Sequence, residues 1–183
     1  MTGLENKEIN QNYSFLKGRL GEAITEQIFI QLGYKVLRYG IENTIPGISS
    51  EIKNLKGSVI ESIRNQPDFV VHSANGEWLF LEVKYRKDLN LNVKQLLRYE
   101  HPDIQFIIIT PGFIGAISKN EVEELSEKGL KTITKIKHLS DNDLFKFNAN
   151  DKILVSQFEI YTKAFFSKLP SFSEICEQAN EYV

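Results

Sequence analysis

The sequence predicts an α/β fold, a mixed β-sheet core flanked by helices with a helical C-terminal extension. Three observations carry this. Leu16, Leu20, Ile24, Ile28 and Leu32 recur every fourth residue and make one apolar helical stripe. Two strand-like runs, "DFVVHS" and "EWLFLEVKYR", are joined by "ANG", a hairpin signal. The run "IQFIIIT" is apolar throughout, as a buried strand is. The order helix, strand, hairpin, helix, strand, helix gives a sheet that is antiparallel at the hairpin and parallel across the second helix.

In chain order, residues 1–12 read as a polar tail and "YSFLKGRLGEAITEQIFIQLG" as the first helix, with Gly33 as its stop. "YKVLRY" follows as a short strand. Residues 40–66 hold Pro46 and scattered charges and read as an irregular insertion, expected to edge the substrate groove. After the hairpin, "LNVKQLLRYE" reads as a helix before "IQFIIIT". "SKNEVEELSEKG" is a capped helix, with Ser118 at the N-cap, Glu121 completing a capping box and Gly129 as terminator. "KTITKIKHL" fits an edge strand. Two helical patterns close the chain, "ILVSQFEIYTKAFFSKL" and "SFSEICEQANEYV", separated by Pro170, with Ser171 and Glu174 repeating the capping-box spacing. The expected organisation is a core over 13–139, with its insertion at about 40–66, and a mostly helical extension over 140–183.

Composition bounds the function. The chain has 183 residues, 42% hydrophobic and 25% charged, enough for one domain with a real core. The net charge of −2 argues against a protein coated in positive charge, though not against a local basic groove. Residues 1–100 carry 13 Lys and Arg against 12 Asp and Glu, and the remainder 9 against 12. The single cysteine, Cys176, excludes an intrachain disulfide and a Cys-based zinc site. The polar N-terminus lacks the apolar core of a signal peptide, and no apolar run approaches the roughly 20 residues of a membrane span. A cytoplasmic setting without a membrane partner is the expectation.

Charged residues inside the two hairpin strands need a reason, because burying them is costly. Side chains alternate along a strand. Trp78, Phe80, Glu82, Lys84 and Arg86 therefore share one face, and Leu79, Leu81, Val83 and Tyr85 the other, which reads as core. The position of Asp68 depends on the turn. A two-residue turn at Asn75-Gly76 sets Asp68 opposite Val83, whereas a three-residue loop with Gly76 in the left-handed region sets it opposite Glu82. In the second register two carboxylates and an ammonium converge. Adjacent carboxylates repel unless a cation or proton lies between them, and hard cations such as Mg²⁺ take carboxylate oxygens together with water and phosphate. A surface Glu–Lys pair on an exposed sheet face has the same spacing. The three histidines, His72, His101 and His138, lack the spacing of a metal site.

"PD" at 67–68 followed by "EVK" at 82–84, after the first helix and strand, resembles the PD-(D/E)xK nuclease superfamily, particularly the Holliday junction resolvase-like enzymes. Glu22, about eleven residues before Gly33-Tyr34, resembles the first-helix Glu of that family, and Gln95 with Tyr99 resembles the QxxxY motif of RecB-type nucleases. The resemblance covers roughly residues 14–112. It implies a restriction-endonuclease-like fold and a DNA phosphodiesterase dependent on Mg²⁺, with Mn²⁺ as substitute. The implied metal ligands are Asp68, Glu82 and the Val83 carbonyl, and the implied catalytic residues are Asp68, Glu82, Lys84 and Glu22. Lys17, Arg19, Arg86, Lys87, Gln95, Arg98 and Tyr99 are the candidate DNA contacts. A structure-selective or restriction-type endonuclease is expected ahead of an exonuclease, with a homodimer as an open alternative to a monomer. The rival is a non-catalytic nucleic-acid-binding or assembly protein on the same fold.

Overall fold

The computed structural model describes residues 3–39, 57, 60, 61, 65–170 and 174, with the backbone alone for 3–10. The 40–66 insertion and the last helical pattern, "SFSEICEQANEYV", lie almost wholly outside the described residues. Helices are α1 (Gly3–Gln31), α2 (Val93–Leu96), α3 (Lys119–Glu127) and α4 (Ala149–Phe166). Strands are β1 (Lys35–Arg38), β2 (Phe69–His72), β3 (Trp78–Tyr85), β4 (Leu91–Asn92), β5 (Ile104–Thr110), β6 (Phe113–Ser118), β7 (Thr132–Ile133) and β8 (Lys137–His138).

Among the described residues the main sheet has six strands in the order β1-β2-β3-β5-β6-β8, and β4 with β7 forms a small second sheet. Every pairing in the main sheet is antiparallel except β3 with β5, which is parallel as expected across the intervening helical segment. The protein is thus α/β with a mixed sheet. Its core has two parts. On one face α1 and α4 bring Ile28, Phe29, Val155 and Phe166 onto Leu79, Leu81 and Val83. On the other, α2 and α3 bring Val93, Leu96 and Val122 onto Ile104, Phe106 and Ile108. The alternation predicted for β3 holds, since its odd-numbered residues belong to the first cluster and Phe80 packs against the second.

Several expectations are corrected. The helix does not begin at Tyr13 but runs back to Gly3, because no Pro or further Gly interrupts 4–12 and Glu5, Lys7 and Glu8 are good helix formers. The buried stripe of α1 is shifted. Gly21, Thr25, Ile28 and Phe29 are buried, while Leu16 is 59% exposed. "LNVKQLLRYE" is not one helix. Leu91 and Asn92 pair with Ile133 and Thr132, and the Val93 N–H donates to the Lys131 carbonyl at 3.1 Å, so only one helical turn remains. "FIGAIS" forms a strand that sequence patterning did not mark. It returns from β5 through Pro111-Gly112, with Gly112 at φ 84°, the residue pattern of a type II turn. The capped helix appears as expected. The Ser118 side chain accepts from the Glu121 N–H, and Glu121 accepts from the Ser118 N–H.

Phe29 is fully buried and its ring packs edge-on against Tyr34 and Phe145 at 5.2 and 5.3 Å. Phe29→Ala should therefore cost about 3–5 kcal/mol, read as a lower urea midpoint with an unchanged slope. An unchanged midpoint would contradict this packing.

Candidate active site

The hairpin settles where Asp68 lies. The Ser73 N–H donates to the Glu77 carbonyl at 2.9 Å, and the Gly76 N–H donates to the Ser73 carbonyl at 3.0 Å. Gly76 has φ 86°, the left-handed geometry of the three-residue loop. The ladder runs His72↔Trp78, Val70↔Phe80 and Phe69↔Leu81, and its next step sets Asp68 opposite Glu82. There the strands part. Pro67 has no N–H to contribute, and the Val83 N–H is taken instead by the Asp68 carboxylate, with Oδ2 accepting at 2.7 Å. In an antiparallel strand a residue's N–H and C=O point the same way. The Val83 carbonyl therefore opens on the Asp68 side of β3, beyond the last β2 pair.

Glu82 is 4% exposed. Its Oε1 accepts from the Lys84 ammonium and from the Tyr99 hydroxyl, and the ammonium also donates to the Tyr99 oxygen at 2.7 Å. These three form a closed polar triangle beneath the sheet face. Burial raises the Tyr99 hydroxyl well above its ordinary range, with the Glu82 charge adding to it. Burial alone would lower Lys84, but Glu82 and Tyr99 outweigh it and hold the ammonium above its ordinary range. Lys84 is therefore a fixed positive charge.

Asp68 is the contrasting group. Burial raises its carboxyl well above the usual range, and the charges of Glu82 and Glu22 push it further, against the Val83 hydrogen bond and Lys84. Glu22 reaches this neighbourhood because α1 lies close on the sheet. A Cβ on Gly21 would stand 3.6 Å from Val83 Cγ1 and 3.7 Å from Tyr85 Cβ. Glu22 accepts from Arg19 Nη1 at 2.7 Å. Glu26 on the next turn accepts from Nε and Nη2 of Arg38, whose charge interacts with Glu22 and Asp68. Arg38 was not singled out from the sequence, because its partner lies 12 residues away on another element.

The predicted residues thus divide. Asp68, Glu82, Lys84 and Tyr99 come together, with Glu22 and Arg19 at their edge. Tyr99 belongs to the cluster itself, since its hydroxyl joins the carboxylate–ammonium pair and the residue is 8% exposed. Gln95 and Tyr99 do not share a helix face, because α2 stops at Leu96, leaving Gln95 exposed and Tyr99 buried. Lys17 turns to the opposite face of β3, its Nζ 3.9 Å from the Tyr13 ring and 5.8 Å from that of Tyr85. Arg86 donates to the Tyr85 carbonyl at 2.9 Å, while Lys87 and Arg98 are exposed.

No protein-family model, curated protein or solved structure matches this chain. Among the described residues no group of three or more His, Cys, Asp or Glu side chains is arranged to hold a metal ion. The site offers two carboxylates and a carbonyl, a donor set suited to a hard cation that keeps several waters. None of the described helices is long and apolar enough to cross a membrane.

The folded state binds the Asp68 proton more tightly than the unfolded chain, where the group titrates near 3.8. That stability is full below the unfolded value and is lost as pH rises through the folded one. In EDTA at pH 8, Asp68→Asn should therefore raise Tm by a few degrees, on a scale of about 2–4 °C per kcal/mol. The gain should shrink towards pH 4. A difference in Tm that is the same at both pH values would contradict the assigned titration.

Proposed function

We propose that this chain is a metal-dependent phosphodiesterase acting on DNA, a structure-selective or restriction-type endonuclease on a restriction-endonuclease-like fold. The observation that carries it is the meeting of Asp68 and Glu82 across the parting of β2 and β3, with the Lys84 ammonium on Glu82. The element order α1-β1-β2-β3-β4-α2-β5, with β3 and β5 parallel, supports the same reading. So do the acids themselves, since a protein that only binds a polyanion gains nothing from carboxylates beside it. The work on DNA is placed in the cytoplasm.

Asp68, Glu82 and the Val83 carbonyl are the residues that would hold Mg²⁺, or Mn²⁺ in its place. Such an ion, when bound, polarises a phosphoryl oxygen and makes bound water a nucleophile at neutral pH. The protein's own residues do the rest. Lys84 keeps its proton on Nζ and stabilises charge developing on the scissile phosphate, so it acts as an electrostatic group and not as a base. Tyr99 holds that ammonium in place. Glu22, itself held by Arg19, stands near enough for its charge to act on Asp68. Arg86, Lys87 and Arg98 would bind backbone phosphates, which gives affinity without sequence preference.

The test is a cleavage panel of supercoiled plasmid and branched DNA with Mg²⁺, Mn²⁺ and EDTA. Lys84→Ala should lose about 10²–10³ in rate at every metal concentration. Asp68→Asn and Glu82→Gln should be partly rescued by raised Mg²⁺ or Mn²⁺, because an amide is a weaker, uncharged ligand while the Lys84 ammonium stays in place. Undiminished cleavage by Lys84→Ala would overturn the site. No cleavage by the parent, with DNA binding indifferent to metal, would favour the non-catalytic alternative.

A further inference from the structure

The face of β1–β3 that carries Glu82 is not finished as an ordinary outer sheet surface. A solvated sheet face usually presents polar side chains. Here Trp78 is 59% exposed and its ring lies 4.4 Å from the His72 imidazole. One step along β3, Phe80 stacks on His101 at 4.3 Å, and Tyr39, 40% exposed, stands 6.1 Å from Phe80. The row of rings follows from register, because alternate β3 residues share a face and His72 pairs with Trp78. It leads directly to the polar site, with Trp78 about 13 Å from Glu82 along the strand.

We infer that this row is a stacking platform for unpaired bases, so that the substrate recognised beside the site is single-stranded DNA or an unpaired segment of a branched molecule. The inference rests on the nuclease reading and names its substrate class. Base pairs inside a duplex have both faces covered by their neighbours, whereas an unpaired base offers a π-face to an exposed ring. On the β1–β2 side of the row charge agrees with this occupant, whereas the cavity on the other side of Trp78 carries Asp103, Glu121 and Asp143. Lys35 is exposed on β1 directly across from His72 and supplies a cation beside the ring pair for a backbone phosphate. Among the described strand residues with this facing, positions 35, 37, 70, 72, 78 and 80 include no acid; the first is Glu82 at the site itself.

Trp78 is the only tryptophan in the chain, so its emission reports the platform directly. Oligo(dT), titrated in EDTA so that nothing is cut, should quench that emission saturably, and a blunt duplex of equal length should not. Trp78→Ala should weaken binding of end-labelled oligo(dT), followed by anisotropy, by about 5- to 150-fold. Trp78→Phe should keep most of the affinity. Both changes are at an exposed strand end and leave the core intact. Absence of oligo(dT) binding, unmoved Trp78 emission, equal quenching by the duplex, or unchanged affinity in Trp78→Ala would each overturn the inference. Metal-dependent cleavage with unmoved Trp78 emission would sink the platform and leave the nuclease standing. Quenching without cleavage under any metal would do the reverse.

Discussion

Glu82 is buried near the middle of a six-stranded sheet, and a carboxylate in that position is tolerated only with partners. It has two, the Lys84 ammonium and the Tyr99 hydroxyl. Breaking a buried pair by removing one member typically costs about 3–5 kcal/mol, since the remaining charge is left uncompensated. Much of the surrounding structure follows from meeting that requirement. A one-residue slip of β3 would turn Glu82 and Lys84 into the α1 side and bring Leu81 and Val83 out. The β4–β7 pairing and the single turn of α2 set the chain so that Tyr99 lies beneath the pair.

Asp68 meets the opposite treatment. Among the described residues its carboxylate accepts one hydrogen bond, from Val83, and burial with two like charges nearby outweighs Lys84, so its ionised form is held at a cost in the absence of a cation. Proteins carry such local conflicts chiefly where function needs them. Around the site the acids are divided between roles. Glu26 is bound to Arg38 and Glu22 to Arg19, which leaves Asp68 and Glu82 as the two carboxylates at the parting of β2 and β3.

How much of this was legible in the sequence depended on range. The two faces of β3 followed from alternation alone, and the capped helix after β6 from Ser118, Glu121 and Gly129. The turn signal "ANG" allowed two registers, and it took the Ser73–Glu77 hydrogen bond with Gly76 at positive φ to choose the one that joins Asp68 to Glu82. Strand β6 was missed because its glycine reads as a breaker. In the fold a Cβ on Gly115 would stand 2.6 Å from the side-chain ends of Phe113 and Ile136, which would have to shift to admit it. Helical spacing put Gln95 and Tyr99 together, but the β4–β7 ladder cut the helix short. Arg38 carried no local signal, because its meaning comes from Glu26 on another element.

The central claim is that Asp68 and Glu82 form one cation site, held by the register of the hairpin and guarded by Lys84. Calorimetric titration of Mn²⁺ into the DNA-free protein tests it most directly. One saturable site is expected in the parent protein, weakened or lost in both Asp68→Asn and Glu82→Gln. In Lys84→Ala it should be retained or tightened, because an ammonium no longer competes for Glu82. Absence of binding in the parent, or equal binding in all four proteins, would contradict the account.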